Sequence, residues 1–103
     1  MISCSPTGIQ VEITNKSDQP IDSIRVYTST NASEILFVRL NNGETQSQFL
    51  NMAKEPAVDG NFFVTYRQGS ATYHEPMSYF TNGAPVEKKL SIVVRSNGVR
   101  LQH

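Results

Sequence analysis

Tryptophan is absent from this chain, and cysteine occurs once, at Cys4. A single cysteine excludes an intrachain disulfide, and the two absences together exclude the cysteine–tryptophan–cysteine pin of antibody-type domains. Charge of either sign is scarce: charged residues make up 17% of the chain, the net charge is +0, and like charges form no block. Nucleic-acid binding needs an excess of Lys and Arg to displace counterions from phosphate, so no nucleic-acid partner is expected. No apolar run approaches the roughly 20 residues of a membrane span. Histidine is rare as well. His74 and His103 share no ligand spacing with each other or with Cys4, so no metal site is expected. His74-Glu75 fails the HExxH zinc pattern because Ser78 stands where its second histidine would be.

Catalytic groupings are missing too. Ser70 falls in a predicted hairpin turn and lacks the strand-to-helix elbow of a serine nucleophile. A Cys4–His74 dyad would put the nucleophile on a flexible segment, which cannot supply the positioning that catalysis needs. The carboxylates are scattered singly, and Asp59-Gly60-Asn61 lacks the further oxygen ligands of a calcium loop. The expectation is therefore a chain with no catalytic residue and no cofactor.

What is present is alternation. In Asn61 to Arg95 the side chains of Phe62, Val64 and Tyr66 take one face, and those of Leu90, Ile92 and Val94 do the same later. A period of two marks strands with one side in a core. Gln68-Gly69-Ser70 reads as a tight hairpin link, since glycine accepts positive φ. Upstream, Ile9, Val11 and Ile13 alternate within Gly8 to Thr14, and Ile24, Val26 and Thr28 within Ile21 to Ser29. Glu34 to Leu40 is apolar on both sides; a short helix is an alternative, but Asn42-Gly43 argues for a strand ending in a hairpin turn. Leu36, Val38 and Leu40 are assigned inward there, and Ile35 and Phe37 outward. Glu44 to Met52 is mixed in pattern, which suits an edge strand. Lys54 to Gly60 is the longest loop. On Ala71 to Phe80 the register puts Glu75 on the core face, and Pro76 cannot donate to a ladder; a bulge at Glu75-Pro76 would carry Glu75 to a rim. Thr81 to Pro85 is a turn, and Asn97-Gly98 leads into a terminal strand.

Seven to eight short strands at this spacing, in 103 residues, predict a single all-β domain, an antiparallel β-sandwich over residues 8–103. The pattern resembles the immunoglobulin or fibronectin type III class. Residues 1–7, rich in Ser, Pro and Thr, read as a tether. Within them Ile2-Ser3-Cys4 resembles the end of a bacterial lipobox, with Met1 where that motif usually carries leucine. The resemblance implies lipid attachment at Cys4, a membrane contact through that lipid alone, and an extracytoplasmic place at a bacterial envelope. The alternative is a cytoplasmic protein with one exposed thiol.

Aromatic and apolar side chains supply the candidate contacts. Tyr66 and Tyr73 read either as a cross-strand pair in the core or as part of an exposed row with Tyr79 and Phe80. Ile35, Phe37 and Phe49 are expected to form a small exposed apolar patch. Two functions fit: a non-enzymatic module binding a protein or glycan, or an accessory or inhibitory domain acting through Lys54–Gly60 and Thr81–Pro85.

Overall fold

Alternating burial becomes two stacked sheets. The computed structural model describes residues 7–101 and contains, in chain order, β1 (Gly8–Asn15), β2 (Ser23–Thr28), β3 (Glu34–Phe37), β4 (Thr45–Asn51), β5 (Gly60–Gln68), β6 (Ala71–Thr81), β7 (Ala84–Pro85), β8 (Lys89–Arg95) and β9 (Gly98–Leu101). One sheet has the order β4-β1-β8-β9, the other β3-β2-β5-β6-β7, and there is no helix among the described residues. The chain is a β-sandwich. Ile9, Val11 and Ile13 of β1 and Leu90, Ile92 and Val94 of β8 meet Ile24, Val26, Val64 and Tyr66 of the larger sheet in one core. Val93 is also buried, on the other side of β8.

Several expectations needed correction. Nine strands are present among the described residues rather than seven to eight, because Asn82 (φ 52°) and Gly83 (φ 75°) fold β6 back into the short β7. Positive φ at both central residues is the I′ geometry that matches strand twist. The sandwich is not wholly antiparallel: β1 runs parallel to β8, with Val11 opposite Leu90 and Ile13 opposite Ile92. β8 therefore faces the β5–β6 hairpin from the opposite sheet instead of extending it. Asn42-Gly43 does not close a hairpin, since β3 and β4 lie in different sheets. Gly43 instead donates its N–H to the Asn15 carbonyl, and Asn15 donates to Glu44, so the link is fastened to the end of β1.

The β5–β6 hairpin keeps its expected register, Tyr66 opposite Tyr73 and Val64 opposite Glu75. Gly69 takes φ 63° at the first loop position, as a two-residue turn with glycine first requires. The bulge falls one residue beyond the expected place: Phe63 faces Pro76 and Phe62 faces Ser78, leaving Met77 as the extra residue.

β4 is an edge strand, and its polar inward positions have a use. Gln48 donates from Nε2 to the Leu36 carbonyl (2.6 Å) and Gln46 to that of Arg39 (3.5 Å). The two amides lace the edge of one sheet to the edge of the other.

Candidate functional site

The outer face of the larger sheet carries a connected row of side chains. Tyr27 stacks on Phe63 (centroids 5.7 Å, 28°), and Phe63 stacks on His74 (5.7 Å, 18°). The Arg25 guanidinium lies 4.0 Å above the Tyr27 ring and donates from Nε to Glu34 (2.6 Å). Neighbouring strands place these residues side by side because Tyr27 pairs with Phe63 and Thr65 with His74. His74 is held in turn, with Nδ1 2.7 Å from the Thr65 hydroxyl and Nε2 3.2 Å from that of Tyr27. Its ring nitrogens are thus engaged within the sheet. Beyond Arg25 the face opens into a shallow groove of about 540 Å³ walled by Leu36, Val38 and Arg67. Leu36 and Val38 are 61% and 74% exposed.

The outer face of the smaller sheet is polar where the strands meet: Thr14 bonds Thr45 (2.9 Å), and Lys89 pairs with Glu12 (3.1 Å).

The residues expected to make contacts are scattered by this arrangement. Phe37 is buried, not exposed, and Leu36 and Val38 stand out in its place. The reason is register: Phe37 pairs with Ile24 and Ile35 with Val26, and both partners point into the core. Ile35 is accordingly half-buried and packed on the core. Leu40, past the end of β3, returns inward by bridging Ile21. Phe80 is fully buried against Phe62, with centroids 5.4 Å apart. Phe49 is exposed, but on the outer side of the smaller sheet beside Gly8. Ile35, Phe37 and Phe49 therefore form no common patch. Tyr79 is 56% exposed, on the outer face of the larger sheet. Cys4 lies outside the described residues, as does the tether except Thr7, whose carbonyl accepts from the Met52 N–H. Arg25, Tyr27 and Phe63 went unrecognised as a group because they are distant in sequence; alternate spacing marked them outward, but only pairing brings them together.

A second concavity, of about 320 Å³, lies at the edge where β6 faces the β8–β9 turn. Tyr66 and Tyr73 form its aromatic wall as a cross-strand stack (4.9 Å, 20°). Tyr66 is buried and Tyr73 is 42% exposed. Burial, then the neighbouring Tyr73 and Glu75, push the Tyr66 phenol above its usual pKa.

The two loops at one end of the sandwich are braced together. Gly83 donates to the Val58 carbonyl (2.9 Å), and Asn82 to the Asp59 carboxylate (3.0 Å). Glu55, in the same loop, accepts from Thr28 (2.8 Å) and also from the hydroxyls of Thr30 and Ser33.

No protein-family model and no curated protein matches the chain. Among solved structures it is similar to the NMR structure of a protein from Eubacterium rectale, with a TM-score of 0.66 over 99% of this chain and 93% of that one. The two are 10% identical. The likeness is one of fold.

Proposed function

We propose that this chain is a non-enzymatic binding module with an immunoglobulin-like strand order, held at a bacterial envelope by a lipid on Cys4, that takes a protein or glycan on the outer face of its larger sheet. The observation that carries it is the exposed pair Leu36 and Val38 beside Arg25 and His74, on a face stiffened by the Tyr27–Phe63–His74 stack, in which Tyr27 is itself buried and Phe63 half-buried. Aromatic and Arg side chains on a stiff surface lose little entropy on binding and anchor many interfaces. His74 is bonded to Thr65 and Tyr27, which suits a contact surface better than proton transfer.

The immunoglobulin-like reading is supported by connectivity. β1 to β6 follow the B, C, C′, E, F, G order of that class, with β4 beside β1 as E is beside B, and β3-β2-β5-β6 as C′-C-F-G. β8 occupies the place of the first strand but runs parallel to its neighbour. The envelope reading rests on Ile2-Ser3-Cys4.

The test uses a Leu36→Asp/Val38→Asp double variant, which adds charge only at exposed positions. Wild-type protein is used to isolate partners from envelope extracts and to probe immobilised glycans; each hit is then purified and titrated. The double variant should weaken binding at least about tenfold, or roughly 1.4 kcal/mol, while Ser47→Asp on the opposite sheet should not. Equal binding by all three proteins defeats the assignment to this face. Loss instead on changing the braced loops 54–60 and 81–85 would favour the accessory or inhibitory reading, which their mutual hydrogen bonds support. For the anchor, membrane association in the natural host should be lost in Cys4→Ser, since acyl chains contribute about 0.8 kcal/mol per buried methylene. A protein equally soluble with and without Cys4 would defeat the anchor and leave the cytoplasmic alternative open.

A further inference from the structure

The edge cleft between β6 and the β8–β9 turn has the makings of a ligand site independent of the outer face. Its construction follows from an overhang. Tyr73 and Glu75 occupy inward positions of β6, opposite Tyr66 and Val64, yet both are exposed because the smaller sheet does not reach far enough to cover them. β7 pairs only with Phe80 and Thr81, so β6 is the sheet edge at Tyr73. One side of the Tyr73 ring is backed by Tyr66, and the other is unpaired among the described residues. The facing wall is the turn at Ser96 and Asn97 together with Arg95 at the end of β8.

The polar groups here are unspent. Among the described residues the Glu75 carboxylate has no ion pair or hydrogen bond, and neither has the Tyr66 hydroxyl or the Asn97 amide. Gln68 has committed its Nε2 to Ser17 (2.7 Å) and the Gln19 carbonyl (3.1 Å), which fixes the side chain at the cleft floor. A flat aromatic wall flanked by one carboxylate (Glu75), one guanidinium (Arg95), a phenol and amides carries no net charge of its own and suits a neutral ligand with one apolar face and a rim of groups that both donate and accept. A pyranose ring has that chemistry: its axial C–H face lies on an aromatic ring, and its equatorial hydroxyls bond to carboxylate and amide. The cleft volume is at the small end of the roughly 300–1,000 Å³ of small-ligand sites. Among the described residues Glu75 is the only carboxylate lining it. Glycoside cleavage ordinarily needs two facing carboxylates, so the site is one for holding a sugar and not for hydrolysing it. The raised phenol pKa of Tyr66 keeps its hydroxyl protonated and able to donate.

We infer that this cleft binds a neutral saccharide unit, with Tyr73 as the stacking platform and Glu75 and Asn97 as hydroxyl partners. The inference does not depend on the outer face carrying a partner.

The experiment is an NMR titration of the isotope-labelled chain with glucose, galactose, mannose and N-acetylglucosamine, and with their short oligomers. At least one sugar should give saturable shifts centred on Tyr66, Tyr73 and Gly98, with a Kd on the order of a millimolar. Tyr73→Ala should weaken that binding about tenfold or more and Glu75→Gln measurably, while Leu36→Asp/Val38→Asp leaves it unchanged. Asn97→Ala, in an exposed turn, replaces Tyr73→Ala if that variant does not fold. Saturation by monosaccharide points to single units as ligands; response to oligomers alone points to a chain. No saturable shift with any sugar overturns the inference, and so do shifts indifferent to Tyr73 and Glu75. Shifts confined to the outer face also overturn it, while leaving the envelope-module reading intact.

Discussion

Asn15 is the buried polar residue on which the joint between the sheets depends, and Asn15→Ala is the sharpest test of the packing. Its side chain is fully buried and makes four hydrogen bonds: Nδ2 donates to the carbonyls of Gln19 (2.8 Å) and Leu40 (3.0 Å), and Oδ1 accepts from the Ser17 N–H (2.9 Å) and hydroxyl (2.6 Å). The alanine variant loses all four, but their costs differ. The Leu40 carbonyl keeps the Ile21 N–H, and the Gln19 carbonyl keeps Ser17 and Gln68. The Ser17 hydroxyl keeps Gln68. The Ser17 N–H is left with no acceptor. One orphaned buried donor costs about 1–3 kcal/mol, and three bonds lost from groups that keep other partners add roughly 0.5 kcal/mol each. The sum is about 2.5–4.5 kcal/mol, a large part of a typical stability of roughly 5–15 kcal/mol. At about 4 °C or more per kcal/mol, the melting temperature should fall by at least about 10 °C. Urea denaturation followed by circular dichroism measures it, with Asn42→Ala as an exposed control. Asn15→Asp should be no milder, because it keeps the Ser17 acceptor but turns the donor into an anion facing two carbonyls. A loss under about 0.5 kcal/mol, typical of surface sites, would refute the reasoning.

Phe37→Asp should unfold the domain, since a buried unpaired charge costs several kcal/mol, whereas Leu36→Asp should shift stability by no more than about 0.5 kcal/mol; equal effects in thermal denaturation would reverse the parity of β3. Gly83→Ala should destabilise by about 1–3 kcal/mol, because φ is 75° there and a Cβ would stand 2.6 Å from the Pro56 carbonyl oxygen; an unchanged urea midpoint would contradict this. The Tyr66 phenol is held above its usual pKa by burial, then by Tyr73 and Glu75. Its contribution to stability is therefore complete below about pH 10 and is lost as pH rises through the folded-state value. Urea midpoints measured between pH 8 and 12 should fall at the alkaline end in wild type and fall less in Tyr66→Phe.

Where one face of a strand is apolar and the other polar, the sequence alone sufficed to orient it. Ile9, Val11 and Ile13 alternate with Gln10, Glu12 and Thr14, and all three are buried. β5 and β8 behave the same way. Glu34 to Leu40 offered no such contrast, because Leu36 and Val38 are as apolar as Ile35 and Phe37. Pairing with β2 decided it, and pairing is a relation between segments that neither pattern contains. β4 raised the opposite difficulty: its mixed pattern suited an edge but gave no reason for Gln46 and Gln48 to face inward, where β3 supplies carbonyls for them. The outward aromatic row was hidden likewise, since Tyr27, Phe63 and His74 sit on three strands. Propensity gives the strands; their neighbours give the faces.

The bulge at Met77 turns that argument on a single residue. Without it Phe62 would pair with Met77 and Gly60 with Tyr79, so Tyr79 would point inward and Phe80 outward. With it, Ser78 pairs with Phe62 and Phe80 with Gly60, which sends Phe80 into the core and Tyr79 to the outer face. A one-residue slip exchanges the two faces of everything beyond it. β6 therefore has two inner faces. Before the bulge it presents Tyr73 and Glu75 to an open cleft, and after it Phe80 to the packed interior. Pro76, beside the bulge, cannot donate to a further strand, so the edge that carries Tyr73 is shielded from edge-to-edge pairing. The residue that looked like a breach of strand rules keeps the exposed edge of β6 from pairing.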